Sequence, residues 1–194
     1  MQKMRLRDLI QIQNMKYYSL RQKYKEVAVP AMKQKFGYKN DLAVPRIIKV
    51  VINTGVGSVK DEKQMEVIEK QLALITGQKP AKRPAKKSIA SFKIRQGALA
   101  GYSVTLRRQR MYDFLDRFLN IAIPRIGDFR GLNPNAVDQA GNFSIGIKEH
   151  TIFPETEEEE IRTIFGLEAT IVTNAKRREE ALELFRLLGF PFKK

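Results

Sequence analysis

The sequence has 194 residues, 43% of them hydrophobic, with 36 Lys and Arg against 21 Asp and Glu and a formal net charge of +15. It is long enough to bury a core and too apolar to be a disordered basic tail. Cysteine and tryptophan are absent, which excludes disulfides, thiolate nucleophiles and cysteine zinc sites and fits a reducing compartment. No run approaches the ~18 apolar residues of a membrane span, and residues 1–15 lack a signal-peptide core, so the expectation is a soluble cytoplasmic protein with no membrane partner.

Residues 1–15 place Arg5, Arg7 and Asp8 among Leu6, Leu9, Ile10 and Ile12. This is a basic amphipathic extension, too short to hold a helix alone in water. Residues 16–194 read as a single α+β domain. Leu20, Tyr24, Val27 and Ala31 recur at helical spacing, Gly37 stops the pattern, and Pro30 predicts a kink or a break within it. Pro45 precedes RIIKVVINTGVG, a β-branched run that predicts a buried strand ending at Gly55 or Gly57. Ser58 and Asp61 offer N-cap chemistry for a helix with Met65, Ile68, Leu72 and Ile75 on one face, stopped by Gly77.

A basic loop with Pro80 and Pro84 is expected next, then a short strand around Ile89 to Ile94 and a clearer one from Gly101 to Leu106. In the latter, Tyr102, Val104 and Leu106 alternate with Ser103, Thr105 and Arg107, so one face can pack on helices while the other offers hydroxyls and a guanidinium. Met111, Phe114, Leu115, Phe118 and Leu119 follow the helical period until Pro124. Phe143, Ile145 and Ile147 alternate as a strand, and Pro154 with Glu157 to Glu160 predicts a short helix. Leu167, Ala169 and Ile171 form a strand, and Ala181, Phe185 and Leu188 a final helix closed by Gly189. The order predicts a mostly antiparallel sheet with helices packed on one face, the other left for a ligand, and a long basic loop.

The charge is focused. Thr76 to Arg110 holds ten Lys and Arg residues and no acid, whereas Met1 to Ile75 has fifteen basic and seven acidic residues and Met111 to Lys194 eleven and fourteen. Such a stretch attracts a polyanion through counterion release. Phe92 among Lys93, Arg95 and Gln96 adds a stacking group to backbone contacts, a mixture suited to structured RNA. No helix-turn-helix, zinc finger or aromatic RNA-recognition signature is present.

Catalytic chemistry is not expected. His150 is the only histidine and reads as a structural residue. NTGVGSVK, Asn53 to Lys60, lacks the spacing and the GK[ST] ending of a phosphate loop, although its amides could meet an RNA phosphate. Consecutive Glu157 to Glu160 would fan around a helix rather than converge on a metal. No cofactor, metal site or catalytic residue is assigned.

The segments VINTGVG (Val51 to Gly57), TGQKP (Thr76 to Pro80), AKKSIASFKIRQG (Ala85 to Gly97), VTLR (Val104 to Arg107), IAIPRIGDFRGL (Ile121 to Leu132), GNFSIGIKEHTIFPE (Gly141 to Glu155) and GFPFKK (Gly189 to Lys194) closely resemble the family of bacterial large ribosomal subunit protein five, in order, from about Tyr17 onward. The resemblance implies a structural ribosomal constituent that binds 5S rRNA in the central protuberance, contacts P-site tRNA through a loop and helps bridge to the small-subunit head. The implied partners are 5S rRNA, 23S rRNA, P-site tRNA, neighbouring 5S-associated proteins and small-subunit head protein thirteen. It assigns Gln78, Lys79, Pro80, Lys82, Arg83, Lys86, Lys87 and Ser88 to the tRNA-facing loop. The rRNA-binding candidates are Asn53, Gly55, Gly57, Phe92, Lys93, Arg95, Gln96, Thr105 and Arg107, and those for the inter-subunit bridge are Ser144, Lys148 and Phe153. The chain departs from the family pattern at Ala81 to Pro84, at Thr54 in place of Met, at His150 in place of Gln, and in its longer extension before Tyr17.

Overall fold

The structure is a computed structural model, and it describes residues 19–57, 59, 61–90, 94–156 and 163–193. The extension 1–15, Ser58, Phe92, Lys93 and the acidic run Glu157 to Glu160 lie outside the described residues. Helix α1 has three consecutive parts, α-helical Leu20–Lys23, a π-turn Tyr24–Ala28 and α-helical Val29–Phe36. Strand β1 is Ile47–Gly55, helix α2 Glu62–Thr76, strand β2 Ala81–Pro84 and strand β3 Leu99–Leu106. Helix α3, Arg108–Arg117, runs on through a π-turn Phe118–Ala122 and a 3-10 turn Ile123–Arg125. Strand β4 is Phe143–Ile147, β5 is Leu167–Thr173 and helix α4 is Arg178–Leu188.

The five strands form one antiparallel sheet in the order β2-β3-β1-β5-β4. One face carries Val50, Ile52, Tyr102, Val104, Leu106, Ala169 and Ile171, all buried. The helices cover it with Ile68, Leu72 and Ile75 of α2, Phe114, Leu115 and Phe118 of α3, and Leu184 and Phe185 of α4. Two aromatic groups anchor this layer. Phe114, Phe118 and Phe153 stack at 5.9 to 6.4 Å, and Phe143 meets Phe185, Phe190 and Phe192. The second group closes the C-terminus, where Leu132 N–H donates to the Pro191 carbonyl (2.7 Å) and Lys193 N–H to the Leu132 carbonyl (2.8 Å). Tyr102 ties β3 to α2 by donating its hydroxyl to the Met65 carbonyl (3.2 Å). Burial, with Glu69 nearby, raises the pKa of that phenol.

The α+β class, the antiparallel sheet and the one-sided helical layer agree with the sequence reading. Asp61 caps α2 by accepting from Lys63 N–H (3.0 Å), and Gly77 and Gly189 end α2 and α4 in the left-handed region. Three elements differ from expectation, one being the strand expected around Ile89 to Ile94, where those two residues instead pair with each other in an isolated bridge. In α1 the buried residues are Leu20, Ala28 and Met32, while Val27 is 43% exposed and Ala31 half-buried. Pro30 has no N–H to donate, and the π-turn before it closes with Val29 N–H on the Tyr24 carbonyl. The extra residue in that turn moves the apolar face by one position. The loop expected around Pro80 and Pro84 contains strand β2, paired with β3 from Ala81 opposite Ser103 to Pro84 opposite Leu99. Proline is tolerated there because β2 is an edge strand and Pro84 sits at a register shift.

Candidate nucleic-acid interface

No described helix covers the second sheet face, and register assigns its residues. One row runs Ala81, Ser103, Asn53, Glu168, Gly146 from β2 to β4, and the next Thr105, Val51, Thr170, Ser144 from β3 to β4. Arg83, Gly101 and Gly55 follow on one side. At the other end a bulge between Ile47 and Lys49 leaves Ile48 45% exposed beside Lys49. The side chains are short and mostly polar, and Ser144 and Thr170 share a hydroxyl hydrogen bond (2.9 Å). A polyanion can therefore approach the backbone closely and meet hydroxyl and amide groups, with cations at the margins. Gly101 is required by the pairing of β3 with β1: a Cβ there would stand 2.5 Å from the Thr54 carbonyl oxygen of the neighbouring strand. Thr54 itself points inward, 1% exposed, and donates its hydroxyl to the Gly166 carbonyl (2.7 Å).

Of the rRNA candidates, Asn53, Gly55 and Thr105 share this face and Arg107 follows at the end of β3, exposed. Gly57 lies beyond β1, with the Ile94 side chain 3.3 Å from the place a Cβ would take. Arg95 and Gln96 lie elsewhere, in the turn between β2 and β3. That turn is a closed hairpin rather than an open loop. Ala85 N–H donates to the Ala98 carbonyl (2.8 Å), Gly97 N–H to the Ala85 carbonyl (2.9 Å), and Ile89 and Ile94 exchange backbone hydrogen bonds (2.9 and 3.3 Å). Ser88 Oγ accepts from Gln96 N–H (2.9 Å). Between the bridge of Ile89 to Ile94 and the sheet, the hairpin therefore gathers Lys86, Lys87, Ser88, Arg95 and Gln96 into one exposed group.

The residues that the resemblance assigns to one loop, Gln78 to Ser88, do not stand together in the structure. Gln78, Lys79 and Pro80 sit at the opposite end of β2, where the Thr76 hydroxyl is 3.0 Å from the Gln78 carbonyl oxygen and Pro80 is buried. Arg110 reaches the Gln78 side chain at 3.5 Å. Lys82 and Arg83 part company through strand alternation. Lys82 is opposite inward-facing Tyr102 and pairs with Glu69 of α2 (3.6 Å), while Arg83 is opposite Gly101 on the open face.

Among the bridge candidates, Ser144 is on the open face and Lys148 is exposed just beyond β4. A groove of about 520 Å³ runs there between Arg125 to Asp128 and Gly146 to Glu149. Phe153 is withdrawn as a contact residue: it is 1% exposed and stacks on Phe114 and Phe118. An isolated aromatic near a run of polar residues looks the same in sequence whether it faces inward or outward. His150 is likewise buried, stacked on Phe165 at 4.1 Å. Burial pushes its pKa down, against weaker upward effects from the Phe165 backbone and Glu149. It is a neutral core residue without the exposed, oriented geometry of a general base.

Sequence reasoning missed Thr170 and Glu168, whereas Ser103, whose outward direction it read, is buried at 9% exposure and offers little to a partner. Their common signal is alternation with Val, Leu, Ile and Ala along a strand, which marks an outward row but not its partner strands.

Two family models divide the chain. The one described as "Ribosomal protein L5" matches residues 40–95, and the one describing the C-terminus of the same ribosomal family matches residues 99–192. A protein of Dictyoglomus turgidum named "Large ribosomal subunit protein uL5" is 53% identical over 176 residues, covering 90% of this chain and 98% of that one. Proteins of the same name from Alkaliphilus oremlandii and Halothermothrix orenii are each 51% identical, over 176 and 174 residues, covering 90% and 89% of this chain and 98% and 97% of theirs. With most of its length matched at that identity, the chain belongs to the ribosomal L5 protein family.

Proposed function

We propose that the chain is a structural, non-catalytic component of the large ribosomal subunit whose open sheet face binds 5S rRNA in the central protuberance. The observation that carries this reading is a sheet face of short polar side chains, without a covering helix among the described residues, in a protein of net charge +15. The family gives the setting. The hairpin, with Lys86, Lys87, Ser88, Arg95 and Gln96, reaches toward P-site tRNA. The end of β4, Ser144 and Lys148, faces the small-subunit head protein thirteen, and 23S rRNA and the other 5S-associated proteins are the remaining neighbours.

The physical basis is electrostatic positioning with short-range polar contacts. Phosphate contacts set register and much of the affinity, and neutralising about five phosphates gives a slope of log K against log salt of roughly −0.7 to −0.9 per phosphate. Filter binding of the full chain to a 5S rRNA transcript and to an unrelated hairpin, across a salt series, tests this. Preference for the 5S transcript that survives moderate salt is expected. Equal affinity for both RNAs at every salt concentration would overturn the proposal.

A further inference from the structure

The open face carries one carboxylate. Of its strand residues, Lys49 and Arg83 are basic, the others are neutral, and Glu168 alone is acidic. It is exposed in the central row and forms no ion pair or hydrogen bond among the described residues. A carboxylate pointed at RNA repels phosphates, and it can only accept hydrogen bonds, so it gains nothing from phosphate oxygens. What it can bind on RNA is a hydrogen-bond donor, either a ribose 2′-hydroxyl or, using both oxygens at once, a pair of N–H donors on a base edge.

Its surroundings are shaped for that. Glu168 stands directly opposite Asn53 on β1 and Gly146 on β4. Directly opposed Cβ atoms lie about 4.5–5.5 Å apart, so Glu168 and Asn53 can grip one edge together. On the other side, a Cβ added at Gly146 would meet nothing within 4 Å, leaving a step in the surface beside the carboxylate. We infer that Glu168, Asn53 and Gly146 form a base-reading site for one unpaired guanine. Among the four bases, guanine alone sets two N–H donors, N1–H and N2–H, side by side to match both carboxylate oxygens, with O6 next to them for the Asn53 amide to donate to. Recognition of splayed bases by such edge contacts is how proteins read single-stranded RNA, and a bidentate pair of this kind discriminates strongly against the wrong base. The affinity lost to charge repulsion is exchanged for sequence selectivity.

This inference rests on the proposal that the open face binds RNA, and its test separates the two. The full chain and the Glu168→Gln variant are titrated with a 5S rRNA transcript, with transcripts carrying inosine in place of single unpaired guanines, and with an unrelated hairpin. Inosine lacks only the N2 amino group. One inosine position is expected to weaken the unmodified chain about tenfold and Glu168→Gln less than twofold. Glu168→Gln is also expected to bind the natural transcript about tenfold more weakly, yet the hairpin as well as before or better, because a negative charge has been removed. If Glu168→Gln binds the natural transcript as tightly as the unmodified chain, with no position sensitive to inosine, Glu168 is a solvated charge and the inference fails alone. If the unmodified chain shows no preference for 5S rRNA, the RNA-face proposal fails and this inference with it. Glu168 is exposed, so the substitution leaves the fold intact, and an unchanged melting temperature confirms that.

Discussion

Replacing Phe153 by alanine separates a core role from a contact role. The ring is 1% exposed, with its centroid 6.1 Å from Phe114 and 6.4 Å from Phe118. Removing it forfeits the transfer free energy of a buried ring, two stacking contacts and the packing of the cavity left behind, which for Phe→Ala amounts to about 3–5 kcal/mol. Against a total stability of about 5–15 kcal/mol this is a large fraction. In a chain of this size each kcal/mol moves the midpoint by roughly 2–4 °C, so a drop on the order of 6–20 °C is expected in a calorimetric or circular-dichroism melt. Phe153→Leu, which keeps most of the volume, should cost about 1–2 kcal/mol. The companion measurement is subunit association by sedimentation velocity with ribosomes carrying Phe153→Leu, where no specific defect is expected. A Phe153→Ala protein that melted within about 2 °C of the unmodified chain, less than the shift expected for even 1 kcal/mol, while abolishing subunit association would refute the burial argument and restore Phe153 to the interface.

At the hairpin, Lys86, Lys87 and Arg95 changed together to Ala should weaken P-site tRNA retention on reconstituted ribosomes more than 5S rRNA filter binding, whereas Lys82→Ala, whose charge faces Glu69, should alter both by less than about twofold, as exposed ion pairs contribute little. Equal losses in the two assays would mean that hairpin and sheet face act on one RNA. His150 predicts a pH dependence of stability. Its folded pKa is lowered, chiefly by burial, so above the unfolded value of about 6.5 the neutral ring carries no penalty. Below that value the unfolded chain takes up a proton that the folded chain resists. Stability contributed by His150 should therefore fall between about pH 7 and the folded pKa, at no more than about 1.4 kcal/mol per pH unit, and then level off. Urea unfolding from about pH 8 to about pH 5, a range that brackets the unfolded value, should show this slope reduced in His150→Gln, and an identical slope in the variant would contradict it.

Much of the fold is legible locally. The alternation Tyr102, Val104, Leu106 against Ser103, Thr105, Arg107 gave β3 and its two faces, and the spacing of Ile68, Leu72 and Ile75 gave the buried side of α2. In both, side-chain period alone decides burial, because a strand or helix packed on one side must sort apolar from polar at period two or 3.6. An irregularity in α1 was legible from Pro30, but not its form as a π-turn, because a proline removes one hydrogen bond without specifying how the backbone recovers it.

The candidate site was less legible. Composition, charge and the order of periodic segments determined a basic α+β chain suited to a polyanion, and the long shared segments gave its family. Which residues stand together was a tertiary decision. Lys86 and Arg95 are nine positions apart yet share one hairpin, because Ile89 and Ile94 pair across it. Adjacent Lys82 and Arg83 point to opposite sides, because β2 is a strand. Asn53, Glu168 and Gly146 come from three separate segments and meet only through the register of β1, β5 and β4. Strand pairing is a long-range choice made by backbone hydrogen bonds and core packing, and no local pattern of side chains encodes which strand lies beside which.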